Sequence, residues 1–167
     1  MDAIRSIQET TEGHEVEILL KIDDDDAPTV NAIPALEAMG CRIFTGPREK
    51  GYGSLPDFYQ RLANEAKSKW VMLFNDDAVV EGYHWLDQVL AFPHMEVAFQ
   101  AEHHCLGGSH YRHDPGAPFP IIPNKCWNEF GWKALPSNAD RWVHYYLNLD
   151  RRWILQYIKG MTVRHFR

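Results

Sequence analysis

The sequence lacks any run of basic residues, and acidic side chains outnumber basic ones by 23 to 17. Proteins that bind nucleic acid regardless of its sequence rely on clustered Lys and Arg, which neutralise the phosphates. A chain of 167 residues with a formal net charge of −6 contains no such cluster. We therefore expect no nucleic-acid partner.

Long hydrophobic stretches and regularly spaced cysteines are also missing. No segment approaches the roughly 20 apolar residues of a membrane-spanning helix. The first ten residues, MDAIRSIQET, lack the apolar segment of a signal peptide. The three cysteines, Cys41, Cys105 and Cys126, are odd in number and irregular in spacing, which argues against a disulfide framework. These absences predict a cytoplasmic protein with reduced thiols and no membrane span.

The overall content is that of one ordinary globular domain, because hydrophobic residues make up 45% of the chain and charged residues 24%. Apolar runs rich in β-branched residues alternate with segments of helical periodicity. The predicted order is strand 16–22, helix 29–39, strand 41–44, helix 55–68 and strand 70–74. This alternation predicts an α/β fold with a parallel sheet.

The second half of the chain is less regular. The expected elements are helix 83–91, strands 97–101 and 118–122, helices 125–130 and 140–149, and two terminal strands or a hairpin at 153–157 and 161–166. No internal repeat or linker interrupts them, so we predict a single domain.

Two acidic segments follow predicted strands. Asp23–Asp26 come directly after the first strand, and Asn75, Asp76 and Asp77 come after the third. Because the carboxyl ends of parallel strands gather at one edge of a sheet, we expect both segments on a common rim. Adjacent carboxylates are costly to bury unpaired, whereas a hard cation such as Mg²⁺ or Mn²⁺ prefers oxygen ligands. The competing interpretation of each segment is a solvated turn.

Position within the first acidic segment separates two roles. Asp23 and Asp24 lie closest to the end of the strand, and a carboxylate there can accept hydrogen bonds from a base N–H or a ribose hydroxyl. Asp25 and Asp26 fit an exposed loop equally well, in which Asp26 caps the next helix.

The loop GPREKGYGS, residues 46–54, sets Arg48 and Lys50 among glycines. Glycines allow the backbone to approach a ligand closely, and the two cations suit a phosphorylated one. The loop does not carry the P-loop pattern, and a solvated turn is the alternative.

Histidines suggest a different function. Zinc could bind a cluster that consists of His103, His104, Cys105, His110 and His113. Their spacing matches no zinc pattern. His165 stands apart, near the end of the last predicted strand, where a lone histidine is usually structural.

Six segments in a fixed order carry a family resemblance. They read KIDDDDAP, GPREKGYGSL, LFNDDAVV, FPIIPNKCWNEFGW, NADRWVHYYL and MTVRHFR. In order and spacing they resemble the family-two glycosyltransferases with the GT-A fold, and the small phage-type and environmental members most of all. The resemblance implies a mostly parallel central sheet flanked by helices, with a nucleotide-binding half at 1–100 and an acceptor half at 101–167.

The resemblance also implies the donor and the metal. The activity would be inverting transfer of a sugar from a nucleotide sugar, UDP-linked, to an unknown acceptor. Asp77 would be the metal-binding aspartate of the DXD-type motif and His165 a second ligand of Mn²⁺ or Mg²⁺. Asp76 would contact the sugar nucleotide or the metal, and Asn75 replaces the first aspartate of the motif.

The remaining site residues follow in the same way. Asp23 or Asp24 would hold the nucleoside, and Arg48 or Lys50 would approach its base or phosphate. Asp140 would be the general base, although the acidic pair of the relatives is here Ala139-Asp140.

One departure from the family opens alternatives. The relatives begin with a nucleotide-binding strand that we do not expect here, before the helix that starts at Met1. The chain could be a fragment, neighbouring strands could close that gap, or a second copy in a homo-oligomer could supply an edge. The alternative functions are a non-catalytic remnant that binds nucleotide without turnover, and a zinc-stabilised binding protein built on residues 103–113.

Overall fold

The computed structural model describes residues 1–93, 97–106, 119–129 and 154–166. By contacts between residues the chain divides into two compact units. The large unit comprises Met1–Val16, Trp70–Pro123 and Asp140–Arg167, and the small unit comprises Glu17–Lys69 and Asn124–Ala139. The single domain, with its halves at 1–100 and 101–167, stays a prediction.

The small unit is built on two parallel strands, β1 (Ile18–Asp23) and β2 (Cys41–Gly46), paired from Ile18 opposite Cys41 to Asp23 opposite Gly46. Both strands were predicted from their apolar runs, and both are confirmed. The two described cysteine side chains, Cys41 and Cys126, are buried and are not joined in a disulfide.

The connection between these strands is helical, but it is not the single helix predicted at 29–39. It consists of α2 (Ala27–Asn31) and α3 (Ile33–Ala38). Pro34 lies in the first turn of α3. Because proline has no N–H and its ring clashes with the preceding turn, a helix can begin at Pro34 but cannot run through it. The predicted stop at Gly40 is correct, since Gly40 has a left-handed φ of 82°.

Two further helices belong to the small unit. A 3-10 turn (Gly51–Ser54) leads into α4 (Leu55–Glu65), with Pro56 in its first turn. The predicted helix at 55–68 is thus confirmed with an earlier end. Asn124 begins α6 (Asn124–Glu129), where its backbone N–H donates to the Lys69 carbonyl at 2.8 Å and its side-chain amide to the Ala66 carbonyl at 3.1 Å.

The large unit contains a five-stranded sheet in the order β3-β6-β5-β7-β4. Its strands are β3 (Trp70–Met72), β4 (Ala78–Glu81), β5 (Val97–Leu106), β6 (Ile121–Pro123) and β7 (Ile154–Phe166). The β5–β7 pair is parallel, and the β3–β6, β5–β6 and β4–β7 pairs are antiparallel. The α/β class is confirmed. The described strands do not form the mostly parallel central sheet that the family resemblance implies, and that sheet stays a prediction.

Two helices pack on this sheet. On α1 (Asp2–Thr10), Ser6 Oγ accepts a hydrogen bond from the Val80 N–H of β4 at 3.0 Å. α5 (Trp85–Ala91) buries Trp85 and Val89, one helical turn apart. The buried core of the unit consists of Ala78, Val80, Trp85, Val89, Val97, Phe99, Ala101, Phe119, Ile121, Ile158, Met161 and Val163.

Of the two alternatives predicted at 153–157 and 161–166, the hairpin is wrong, whereas the described residues of both segments are strand. Both segments belong to the single strand β7, which pairs with β5 from Ile154 to Tyr157 and again from Thr162 to Phe166. Its register shifts between Tyr157 and Thr162, where Gly160 has a left-handed φ of 78°. The interruption is a bulge in the pairing with β5 and not a turn.

An ion pair joins strand β2 to Glu17, the first residue of the small unit. Arg42 on β2 binds the Glu17 carboxylate, and it also donates to the Glu65 carbonyl at 3.1 Å. Glu17 accepts a further hydrogen bond from the Lys67 N–H at 2.9 Å. Burial raises the pKa of Glu17, but these hydrogen bonds outweigh burial, so the pKa lies below its ordinary value.

The variant Glu17→Gln should therefore unfold more easily at pH 7, by about 1–2 kcal/mol, because a charge-assisted hydrogen bond is lost. A carboxyl whose pKa is lower in the folded state stabilises the fold above its unfolded pKa, about 4.5 here, and less as the pH falls. The difference from the wild type should shrink towards pH 3.5. Urea unfolding at both pH values measures it.

Glu65→Gln is the matched control. Its carboxylate also faces Arg42, at 3.4 Å, but its side chain is 54% exposed. We expect a loss below about 0.5 kcal/mol for this pair. Equal losses for the two variants, or a Glu17→Gln loss that does not depend on pH, would contradict the prediction.

Candidate functional site

The two residues proposed as metal ligands, Asp77 and His165, are in contact within the large unit. The His165 Nε2 atom lies 2.9 Å from the Asp77 Oδ1 atom. The backbone fixes the same approach, because the Phe166 N–H donates to the Asp77 carbonyl at 2.7 Å. Asp77 and His165 are 88 positions apart in the sequence, and no spacing pattern connects them.

The pairing of β4 with β7 explains this contact. The two strands run antiparallel with Ala78 opposite His165. Asp77, the residue before β4, therefore lies beside the end of β7. Along β7 the side chains of Met161, Val163 and His165 are buried and alternate with more exposed ones, as the two-residue period of a strand requires. His165 thus lies on the core face.

Packing also orients the imidazole. The His165 side chain is only 9% exposed, and the Phe119 ring contacts it edge to face with the ring centroids 5.6 Å apart. Asp77, in contrast, is 48% exposed. A buried nitrogen donor beside a half-exposed carboxylate leaves one side of the pair open to a ligand from solvent.

The separation of these two atoms suits a hard divalent cation. Ligands at adjacent corners of an octahedron with bonds of about 2.1 Å lie about 3 Å apart, and the observed separation is 2.9 Å. A cation would bind between the two side chains in place of their direct contact. In the described part of the chain, no three His, Cys, Asp or Glu side chains surround a common point. Besides these two side chains, water and phosphate oxygens are ligands that such a cation accepts.

The connection before β4 presents the remaining residues of the motif. The Leu73 N–H donates to the Pro120 carbonyl at 3.3 Å and fixes the chain after β3. Asp76 then lies exposed, and Ala78 is buried as the first residue of β4. We predicted that the acidic stretch follows a strand; β3 ends at Met72, and the stretch lies in the short connection from β3 to β4.

The four aspartates after β1 lie in the small unit and differ in their partners. Asp23 binds Lys21 through Oδ1 and has Arg48 Nε 3.5 Å from Oδ2. Asp25 receives the same Arg48 Nε at 3.1 and 3.2 Å from its two oxygens. This hydrogen bond and the charge of Asp25 raise the pKa of Arg48 above its ordinary value.

The other two aspartates differ, since Asp26 binds Thr29 whereas Asp24 is exposed. Asp26 lies at the predicted N-cap position of α2, but its side chain accepts from the Thr29 hydroxyl at 2.6 Å and makes no capping hydrogen bond to the helix backbone. The Asp24 N–H donates to the Gly46 carbonyl at 2.9 Å. Its carboxylate is exposed, with no hydrogen bond or ion pair to any residue in the described ranges.

The loop after β2 is folded on itself. The Lys50 N–H donates to Ser54 Oγ at 3.0 Å, and Glu49 has a left-handed φ of 53°. The Lys50 side chain is exposed. Arg48 and Lys50 therefore differ: Arg48 is engaged by aspartates, whereas Lys50 extends into solvent.

Several predicted site residues fall outside this description. Asp140, His110 and His113 lie outside the described residues. His103, His104 and Cys105 belong to β5 by their backbone, but their side chains lie outside the description, so the zinc hypothesis stays a prediction. Asp23, Asp24, Arg48 and Lys50 are in the small unit, whereas Asp76, Asp77 and His165 are in the large one; their common rim also stays a prediction.

Two features were not predicted from the sequence. One is Lys21 beside Asp23, and the other is a separate cluster of Asp87 with two histidines. Lys21 stands two residues before Asp23, and the period of a strand places both on one face; that signal was available. The separate cluster has no sequence signal: Asp87 binds His14 Nε2 at 2.8 Å and His84 Nδ1 at 3.0 Å. The hydrogen bond from His84 is the main reason why the pKa of Asp87 lies below its ordinary value.

Among the described residues, no helix is both long enough and apolar enough to cross a membrane. Neither protein-family models nor curated proteins yield a match to this chain.

Proposed function

We propose that the protein is a metal-dependent inverting glycosyltransferase with a GT-A-like fold that uses a UDP-sugar. The contact between Asp77 and His165 is the observation that supports it most. These two residues were named as ligands of one cation from the family resemblance alone, and their donor atoms are 2.9 Å apart.

In this proposal, Asp77 and His165 hold Mn²⁺ or Mg²⁺, and exposed Asp76 contacts the cation or the sugar nucleotide. The bound cation supplies positive charge for the diphosphate that departs from the sugar. The two side chains suit this task differently. His165 is fixed by burial and by Phe119, whereas the half-exposed Asp77 keeps the position accessible.

The nucleoside is assigned to the end of β1. Of the two carboxylates that the sequence left open, Asp24 fits better, because both oxygens of Asp23 face cations of the chain itself. The Asp24 carboxylate, which has no partner among the described residues, can accept from the N–H of uracil or from a ribose hydroxyl. Exposed Lys50 is the better candidate for the phosphates, since Arg48 is engaged by Asp23 and Asp25.

The chemistry assigned to Asp140 is general-base catalysis. The hydroxyl of the acceptor has a high pKa, so a carboxylate must take its proton as the new bond forms. Direct displacement of the nucleoside diphosphate then inverts the anomeric carbon and needs no covalent intermediate. The GT-A-like, mostly parallel central sheet is part of the same proposal.

Thermal unfolding with UDP and Mn²⁺ tests the donor site. A ligand that binds only the folded protein, present at about 100 times its Kd, stabilises it by about 2.7 kcal/mol. For a chain of this length we expect the midpoint to rise by about 5–10 °C. The rise should need UDP and Mn²⁺ together, and Asp77→Asn should abolish it.

Asp87→Asn is the matched control for this experiment. Asp87 is also a half-exposed aspartate bound to a histidine in the large unit, with 50% of its side chain exposed, but it has no assigned role. Its variant should keep the full shift. A wild-type protein that shows no shift with UDP and Mn²⁺ would overturn the proposal, as would an equal loss in both variants.

A further inference from the structure

Lys21 occupies an unusual position for a lysine. It lies on β1 with only 12% of its side chain exposed. Its ammonium binds Asp23 Oδ1, donates to the Pro47 carbonyl at 2.9 Å and lies 4.1 Å from the centroid of the Phe58 ring. The three partners come from the end of β1, the loop after β2 and helix α4.

These partners make the buried charge tolerable. An ammonium removed from water loses hydration that must be replaced, and a carboxylate, a carbonyl and an aromatic face each replace part of it. The same contacts tie three separate segments of the small unit to one point. Loss of the ammonium would leave Asp23 Oδ1 without its cation and would release Pro47, the neighbour of Arg48.

Lys21 also determines which carboxylate remains open. With Lys21 on Oδ1 and Arg48 near Oδ2, Asp23 is a brace between β1 and the loop after β2. Asp24, the next residue, donates its backbone N–H to the carbonyl of Gly46 at the end of β2, and its carboxylate is exposed. The arrangement of Asp23 and Asp24 at the end of β1 therefore depends on the Lys21 ammonium.

We infer that Lys21 is a positioning residue for nucleoside binding, which holds Asp23 and the loop 46–50 so that Asp24 and Lys50 can contact the nucleotide. This inference rests on the proposed function. Lys21 does not touch the nucleotide; it acts through Asp23 and Pro47.

Calorimetric titration of the full chain with UDP in the presence of Mn²⁺ tests the inference. Lys21→Met keeps the length of the side chain and removes its charge, and it should weaken UDP binding by about tenfold or more, the effect of one charge-assisted hydrogen bond on a carboxylate. Lys21→Arg restores a cation and should recover most of the affinity. Lys69→Met, an exposed lysine of the same unit, is the control and should bind like the wild type.

Mn²⁺ affinity in the absence of UDP separates positioning from a general loss of structure. Lys21→Met should leave that affinity unchanged, because Asp77 and His165 lie in the other unit. If Lys21→Met does not fold, Lys21→Gln, which keeps a donor without the charge, carries the same expectation.

The possible results distinguish the role of Lys21 from the proposed function. Wild-type UDP affinity in Lys21→Met, or no recovery in Lys21→Arg, overturns the role of Lys21 while the proposed function stands. A wild-type chain that does not bind UDP with Mn²⁺ overturns both.

Discussion

Asp77→Ala should abolish hydrolysis of UDP-sugars, with a fall in rate of about 100-fold or more, since stabilisation of a departing diphosphate by a cation contributes several kcal/mol. The variant loses the half-exposed carboxylate and leaves His165 as the one assigned ligand. Release of UDP from a panel of UDP-sugars with Mn²⁺ measures the rate, with water in place of the unknown acceptor.

Two comparisons make this result specific. Removal of divalent ions from the wild type by a chelator should cause the same loss, and added Mn²⁺ should restore the wild type but not Asp77→Ala. Asp87→Ala should hydrolyse at the wild-type rate, because its carboxylate binds His14 and His84 and has no place in the site. Hydrolysis that survives in Asp77→Ala would show that the assigned ligand pair is not the catalytic centre.

Asp140→Asn distinguishes turnover from binding in the same assay. A general base contributes about 10²–10⁴-fold to the rate, whereas the donor site is assigned to other residues. This variant should therefore lose hydrolysis and keep the thermal shift with UDP and Mn²⁺. A wild type that binds UDP but never hydrolyses or transfers would favour the non-catalytic remnant.

The local elements of this fold were readable because their signals are local. β1 and β2 are apolar runs, and α4 begins where Pro56 favours a helix start. One failure also has a local cause, because Pro34 lies within the predicted helix 29–39 and divides it into α2 and α3. The four-residue β4 was missed because Val79 and Val80 alone are too short a run for a strand signal.

Pairing between distant strands was beyond the sequence. Neither the β5–β7 register nor the bulge near Gly160 follows from periodicity, because both depend on which strands become neighbours. The same holds for the site: the contact between Asp77 and His165 follows from the antiparallel pairing of β4 with β7. Only the family resemblance suggested it in advance. Lys21 is the opposite case, since its alternation with Asp23 was a usable signal.

Gly82→Ala should be the most damaging single-methyl change in the described part of the large unit. Gly82 follows β4 with a left-handed φ of 101°, and a Cβ there would lie 1.8 Å from the Gly160 carbonyl oxygen in β7. That contact is with backbone, so no side chain can rotate away. The left-handed strain of about 1 kcal/mol and overpacking of about 1–3 kcal/mol predict a loss of about 3 kcal/mol in unfolding free energy, measured by urea denaturation.

Gly13→Ala separates the two contributions. Gly13 also has a left-handed φ, 88°, but a Cβ there would meet nothing within 4 Å, so this variant should lose only the strain of about 1 kcal/mol. Equal losses in Gly82→Ala and Gly13→Ala would contradict the close approach of the two glycines. Because Glu81 pairs with Thr162 in the ladder that sets Ala78 opposite His165, a backbone forced apart at Gly82 should also separate Asp77 from His165. Folded Gly82→Ala should therefore bind Mn²⁺ with UDP more weakly than Gly13→Ala, although neither glycine contacts the ligand.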